Sequence, residues 1–475
     1  MDMHARPARA VLYRAARLLV LLALASATGL AGTPAEPARS PTAVPGVHDQ
    51  HLDPQYWIQR QADADRVILD EQAIAGQNRR LLEQDASVHD LSALPSQFSA
   101  TEVRDWVGKL SARPSRGLYD EAGQAVAGKE LDTLVANLGL EAVPAQVPAR
   151  HGLVVRRADL RTFPTRLRVF NEPGNTDIDR FQESALFPGM PVVVIHRSGD
   201  GQWLFVISAQ YAAWVEQSAV AQAPAEQVRA YMQRSPRLIV TGATARTVHN
   251  PQRREVSDLQ LEMGIDLPLL AQWPPDELVN GQHPYTSYVV QLPVRRDDGS
   301  LALVPALVPR SADVATRYLD LTPANLLRQS FKFLGERYGW GHSYGTRDCS
   351  GFVSEVYRSF GVQLPRNTSA QAVSPALNRI AFDADTDRAT RLEVLRSLQV
   401  GDLVYIPGHV MMVIGHEGQE TYLIHDTAGI SYRGEEGQMV RARLNSVAVT
   451  PLLPLMLNEE DSYVDRITNI QRIRP

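Results

Sequence analysis

One cysteine, Cys349, stands in a chain of 475 residues. A single thiol closes no internal disulfide, so covalent cross-links do not hold this fold together. That thiol is then either an inert core group or a reactive one. Charge of one sign is missing too: 48 Lys and Arg against 53 Asp and Glu give a formal net charge of −5, and no broad basic field offers itself to nucleic acid. After residue 31 no apolar run is long enough to span a bilayer. Three motifs are also absent. "HEGQE" (416–420) has Glu420 where the zinc motif H-E-x-x-H needs its second histidine. "GWGHSYG" (339–345) has Tyr344 where a dinucleotide fingerprint needs its third glycine. No phosphate loop occurs. Neither a metal nor a cofactor is expected.

What is present begins with an export signal. Arg6, Arg9, Arg14 and Arg17 precede the apolar "LLVLLALASATGLA" (18–31), with cleavage expected after Ala27 or Ala31. Thr33 stands where a lipoprotein box needs its cysteine. Residues 1–31 therefore read as a Sec signal, and the mature chain as a soluble, monomeric, periplasmic or secreted protein. Hydrophobic residues make up 44% and charged residues 21%, as in a globular chain, and the length predicts three or four domains.

Residues 32–47, rich in Pro and Ala, predict a disordered linker. Residues 48–148 predict a helical segment that stabilises the rest, with one helical pattern from about Tyr56 to Leu82. At about Ala149 the period changes to two. Residues 149–224 and 225–321 each read as a set of short strands with turn signals such as "SGDG" (198–201) and "RDDGS" (296–300), and predict two small β-barrels. Helical patterns return at Thr322 and strands at Gly401, so 322–475 predicts an α+β domain with its helices before its sheet.

The cysteine lies in "GTRDCSGFVSEVYRSFG" (345–361). Phe352, Val353, Val356, Tyr357 and Phe360 share one helix face, with Asp348 as its cap and Gly361 as its stop. Cys349 thus falls at a helix start, where dipole and free N–H groups favour a thiolate. The small Ser350 and Gly351 leave room for a substrate, and the Ser350 N–H is placed to hold an oxyanion. Downstream, His409 lies in "GHVMMVIGH" and His425 in "TYLIHD". A three-residue turn at 416–418 would set 409 directly opposite 425, on one face of a hairpin. A two- or four-residue turn would separate the faces unless a bulge intervened. One imidazole would take the thiol proton and the other orient it.

Together, "YGWG", "RDCSGFVSEVY", "GVQLPRNTSAQ", "GDLVYIPGHVMMVIG" and "YLIHD" resemble the NlpC/p60 cysteine peptidases over about residues 322–456. The resemblance implies a papain-like catalytic domain after an N-terminal clip and two SH3-like barrels. It implies Cys349 as nucleophile, His409 as base and His425 as third member, with a longer spacing to His425 than is usual. Tyr338, Trp340, Asp348 and Ser350 match cleft positions, and Arg366 to Ser369, with Thr368 among them, match a loop at its rim. Enzymes of the multidomain subgroup it resembles cut peptidoglycan stem peptides between D-Glu and the diamino acid, and the first SH3-like domain favours a free N-terminus. "RRADLRTFPT" puts Arg157, Asp159 and Arg161 at alternate positions, and Asp159, or a residue beside it, is expected to meet that ammonium. A catalytically silent wall-binding protein and a papain-like amidase or acyltransferase are the alternatives.

Overall fold

The computed structural model describes residues 44–474. The expected signal and the first part of the expected linker lie outside the described residues. The end of that linker is not loose: Val44 and Val47 are buried in the core of the C-terminal domain, and the Tyr422 hydroxyl donates to the Gly46 carbonyl at 2.7 Å.

The N-terminal segment holds helices α1 (Pro54–Ile58), α2 (Glu71–Gln84), α3 (Ala100–Leu110) and α4 (Gly128–Asn137). The single helix expected from Tyr56 to Leu82 is two helices. Residues between them turn, and Ile68 and Leu69 pair with Leu321 instead. Asp70 restarts the helix, its carboxylate accepting from the Ala73 N–H at 2.8 Å, a side-chain cap that competes with continuing the earlier turn. α1 sets Trp57 into the C-terminal domain, fully buried against His51, Tyr56 and Tyr422.

Seven strands follow: β1 (Arg150–Val154), β2 (Ala158–Arg161), β3 (Gln182–Leu186), β4 (Pro191–Arg197), β5 (Trp203–Ile207), β6 (Ala212–Glu216) and β7 (Val220–Ala223). They form one antiparallel sheet of order β3-β2-β6-β5-β4-β1-β7. "SGDG" makes the β4–β5 connection, with Gly201 at φ +71°. One side packs on α3 and α4 through Trp214, Phe205 and Val107, the other on Leu160, Val194 and Val206. Residues 237–315 build three small sheets around Leu238, Leu261, Val290 and Val308.

The C-terminal domain opens with α5 (Pro323–Phe331), capped by Thr322, and then α6 (Cys349–Arg358) and α7 (Thr368–Val373). Its strands are β8 (Asn378–Ala381), β9 (Leu403–Ile406), β10 (His409–Glu417), β11 (Glu420–Arg433), β12 (Met439–Pro451) and β13 (Asn469–Arg472), in the order β8-β13-β9-β10-β11-β12. All of α6 is buried, and its Phe352, Val353 and Val356 pack with Val410, Met411 and Ile424 of the sheet. The predicted helix face thus lies on the strands that carry the histidines.

Candidate active site

Cys349 is the first residue of α6 and 5% exposed. The Asp348 carboxylate caps the helix by accepting from the Gly351 N–H at 2.8 Å. The thiol faces Thr368 Oγ1 at 3.6 Å and the Val410 N–H. The Ser350 N–H sits in the first turn, where helix geometry supplies no carbonyl partner. The space expected beside Gly351 is taken: a Cβ there would stand 2.6 Å from the His342 ring.

The histidines meet by a different register from the one expected. Glu417 pairs with Glu420, so the turn has two residues, and alone it would have put His409 and His425 on opposite faces. A bulge at Ile414 restores the match: Val413 pairs with Leu423, but Gly415 pairs with Tyr422. Since Met412 pairs with Ile424, His425 falls across from Met411, and His409 is its diagonal neighbour on the same face. His409 Nε2 lies 2.7 Å from His425 Nδ1, and His425 Nε2 lies 2.9 Å from Thr450 Oγ1 on β12. For Nδ1 of His409 to accept a proton, its Nε2–H must donate to His425, whose Nε2–H then donates to Thr450. His416 is occupied elsewhere, on the Leu398 carbonyl at 2.7 Å.

Burial lowers the pKa of His409 to about 4 and, with His409 beside it, holds that of His425 well below the ordinary imidazole value. Burial, then the Asp348 carboxylate, pushes the Cys349 thiol up to about 12, against the pull of Thr368 and the Val410 N–H. At this helix start desolvation and a neighbouring anion therefore work against the dipole.

The expected cleft residues divide into two groups. Tyr338 is 8% exposed, and burial, then Cys349 and Asp348, push its phenol well above the ordinary value. Trp340 is half-buried, with its indole N–H on the Gln182 carbonyl at 3.1 Å, joined to β3. Asp348, Ser350 and Arg366, by contrast, are committed to one another. The Arg366 guanidinium donates to Asp348 Oδ2 (2.8 Å) and Oδ1 (3.1 Å), Ser350 Oγ (2.9 Å), His342 Nδ1 (2.8 Å) and Ser184 Oγ (2.7 Å). Arg366 is thus a buried tie between β3 and the cap of α6 rather than a rim residue. It holds the Asp348 pKa down to about 2 against burial. Asp159 is exposed, accepts from Gln182 Nε2 at 3.2 Å, and lines a pocket with Arg157, Arg161 and Tyr344 that does not include Cys349.

Several residues escaped sequence reasoning. Glu183 on β3 accepts from Thr162 Oγ1 at 2.5 Å and from the Tyr211 hydroxyl, and Tyr211 also bonds the Asn367 side chain beside Thr368. His342, with its backbone at φ +65°, joins Arg366 to Glu355 (3.1 Å). Asp426 is fully buried with neither carboxyl oxygen hydrogen-bonded. Burial, then the Asp348 and Glu336 carboxylates, push its pKa well above the ordinary carboxylate value. Glu183 lies in no motif, while His342 and Asp426 sit inside quoted stretches, 339–345 and 422–426, whose pattern gives no sign of their burial or partners.

A cysteine at the start of a buried helix, packed on an antiparallel sheet that supplies two bonded histidines, defines a papain-like cysteine peptidase domain. Residues 335–449 match the NlpC/P60 family, and residues 168–216 match the SH3 domain of SH3b1 type. The chain therefore carries a domain of NlpC/P60 type behind one of SH3b1 type. A curated gamma-D-glutamyl-L-lysine dipeptidyl-peptidase from Bacillus cereus (strain ATCC 10987 / NRS 248) is 27% identical over 264 residues, covering 50% of this chain and 66% of that protein. An NlpC/P60 endopeptidase from Photobacterium damselae subsp. piscicida superposes with a TM-score of 0.71 at 19% identity, over 89% of this chain and 96% of that one, a likeness of fold. Among the described residues no helix is long and apolar enough to cross a membrane.

Proposed function

We propose that this chain hydrolyses peptidoglycan stem peptides at the bond between D-Glu and the diamino acid, in the periplasm or outside the cell. The observation that carries the reading is Cys349 at a helix start, packed on the strands whose His409, His425 and Thr450 form a hydrogen-bonded relay. Nδ1 of His409 takes the thiol proton as sulfur attacks the γ-glutamyl carbonyl. The Ser350 N–H faces the oxyanion, and the same proton then goes to the leaving α-amine of the diamino acid. Water, deprotonated by His409, cleaves the thioester and restores the thiol. The γ-D-glutamyl-L-lysine specificity for which the Bacillus relative is named supports the same bond here.

A free N-terminus on the substrate is part of this reading, but Glu183 suits the ammonium better than Asp159. Its carboxylate belongs to β3, beside Trp340, and connects through Tyr211 and Asn367 to the loop that touches the thiol. The deciding experiment is mass spectrometry of defined muropeptides and of free tri- and tetrapeptides after incubation with the enzyme. Products ending in D-Glu, absent with Cys349→Ala, bear the reading out; cleavage at another bond, or none, rejects it.

A further inference from the structure

A guanidinium with no hydrogen-bond acceptor lies where the seven-stranded sheet, residues 237–315 and the C-terminal domain meet. Arg358 ends α6 and is 8% exposed. Other buried arginines near it are saturated: Arg347 binds Glu336, Glu355 and the Ala243 carbonyl, and Arg366 has the five contacts given above. Arg358 donates to no described residue, and its Nη1 is cut off from solvent. Its position in the last turn of a helix accounts for a cation. It does not account for a buried Nη1 that donates to no acceptor, although Glu355 and Glu262 offset the charge from a greater distance.

The side chain is held in this place. Gly264, at φ +79°, lies so close that a Cβ there would stand 2.5 Å from Arg358 Cβ, and the Phe187 ring centroid is 5.7 Å from the guanidinium carbon. Of the nearest carboxylates, Glu355 is held by Arg347 and His342, and Glu262 by Arg157 and Gln260 through Oε1 alone, its buried Oε2 lacking a hydrogen bond as Arg358 Nη1 does. Arg358 lines a cavity of about 170 Å³ whose other walls include Leu186, Phe187, Met190 and Ile265. Cys349, His409 and His425 are not part of it.

We propose that this cavity binds a small organic carboxylate, its oxygens on Arg358 and its apolar body against Leu186, Phe187, Met190 and Ile265. A cavity of about 150 Å³ accepts benzene, so the body has about that size. The carboxylate matches the guanidinium fork. An inorganic anion would satisfy Arg358 but leave the apolar walls empty. His342 and Arg366 border the same cavity, so the ligand would sit directly behind the network that holds Asp348.

Calorimetric titration of the full chain with benzoate, benzamide and sulfate tests this, with melting curves in parallel. Benzoate is expected to bind saturably at one site and raise Tm, while benzamide and sulfate do neither. Arg358→Met is expected to weaken benzoate at least about tenfold. The benzoate–benzamide comparison uses the unmodified protein and so stands even if that variant misfolds. No saturable binding of benzoate, equal binding of benzamide, equal binding of sulfate, or undiminished binding by folded Arg358→Met would each overturn the proposal.

Discussion

His409 and His425 hydrogen-bond across 2.7 Å because a bulge at Ile414 corrects the parity of a two-residue turn. The correction is itself held from outside the sheet. Gly415, at φ +151°, lies under Trp57, whose ring would be 2.8 Å from any Cβ there. The geometry of the base thus depends on a residue of the N-terminal segment.

Cys349→Ala is expected to melt within a degree or two of the parent and to lose hydrolysis completely, since the thiol contributes little packing that a methyl does not. Circular dichroism and a peptide-release assay check both halves. A folded variant that still turns over would remove Cys349 from the reaction.

In the relay, loss should grade with position. His409→Ala should abolish turnover, His425→Gln should retain part of it, and Thr450→Val should lower kcat about tenfold or less with KM little changed, as for loss of one neutral orienting bond. If His425→Ala leaves the rate and its pH profile intact, the relay has no part in catalysis.

Because burial penalises the imidazolium, His409 keeps its lone pair to lower pH, and the acid limb of kcat/KM should fall near 4 rather than at the ordinary 6.5. With the thiol raised to about 12, alkylation of Cys349 should climb without a plateau from about pH 6 to 10. A plateau at neutral pH would mean a preformed ion pair. Stability follows the same signs. The unfolded chain takes up protons first, so stabilisation from neutral His409 is lost as pH falls from 6.5 toward 4, and that from Asp348 as it falls from 3.8 toward 2.

Glu183→Gln should raise KM for L-Ala-γ-D-Glu-diamino acid and narrow the gap between that peptide and its N-acetylated form, while Asp159→Asn should change neither. Loss of a charge paired with ammonium costs about 2–5 kcal/mol. Equal kcat/KM for the free and acetylated peptides in the parent enzyme would remove the ammonium contact altogether.

Trp57→Ala should destabilise the chain by about 3–5 kcal/mol, the range for emptying a buried indole site. It should also lower activity in the molecules that remain folded, by releasing the bulge. Denaturant titration and kcat measured at low temperature separate the two effects.

The cysteine helix was legible because everything that makes it is local: a cap, a face and a stop within fourteen residues, Asp348 to Gly361. The histidine face was legible by parity, although the register was not. Turn length and bulge are decided by Gly415 and by Trp57, which lies outside the hairpin. Arg366 read as a rim residue because its partners His342 and Ser184 come from another loop and another domain. Asp159 read as a contact to substrate because alternation shows which residues share a side, not which side meets the cleft. The same limit hid Glu183.

The N-terminal clip also sets an order of events during synthesis. His51 and Tyr56 are tied to Glu417, which follows His51 by 366 residues. At about 5–20 residues per second, Trp57 emerges roughly 20–70 s before the hairpin that buries it. For that interval its indole and the flanking Val44 and Val47 have no home, and the bulge that aligns the histidines has no clamp. A nascent chain is therefore exposed to chaperones at its front end and catalytically unassembled at its back. The Glu417 contacts and the seat of Trp57 can form only after both ends of the chain are present, so the histidine pair is aligned late.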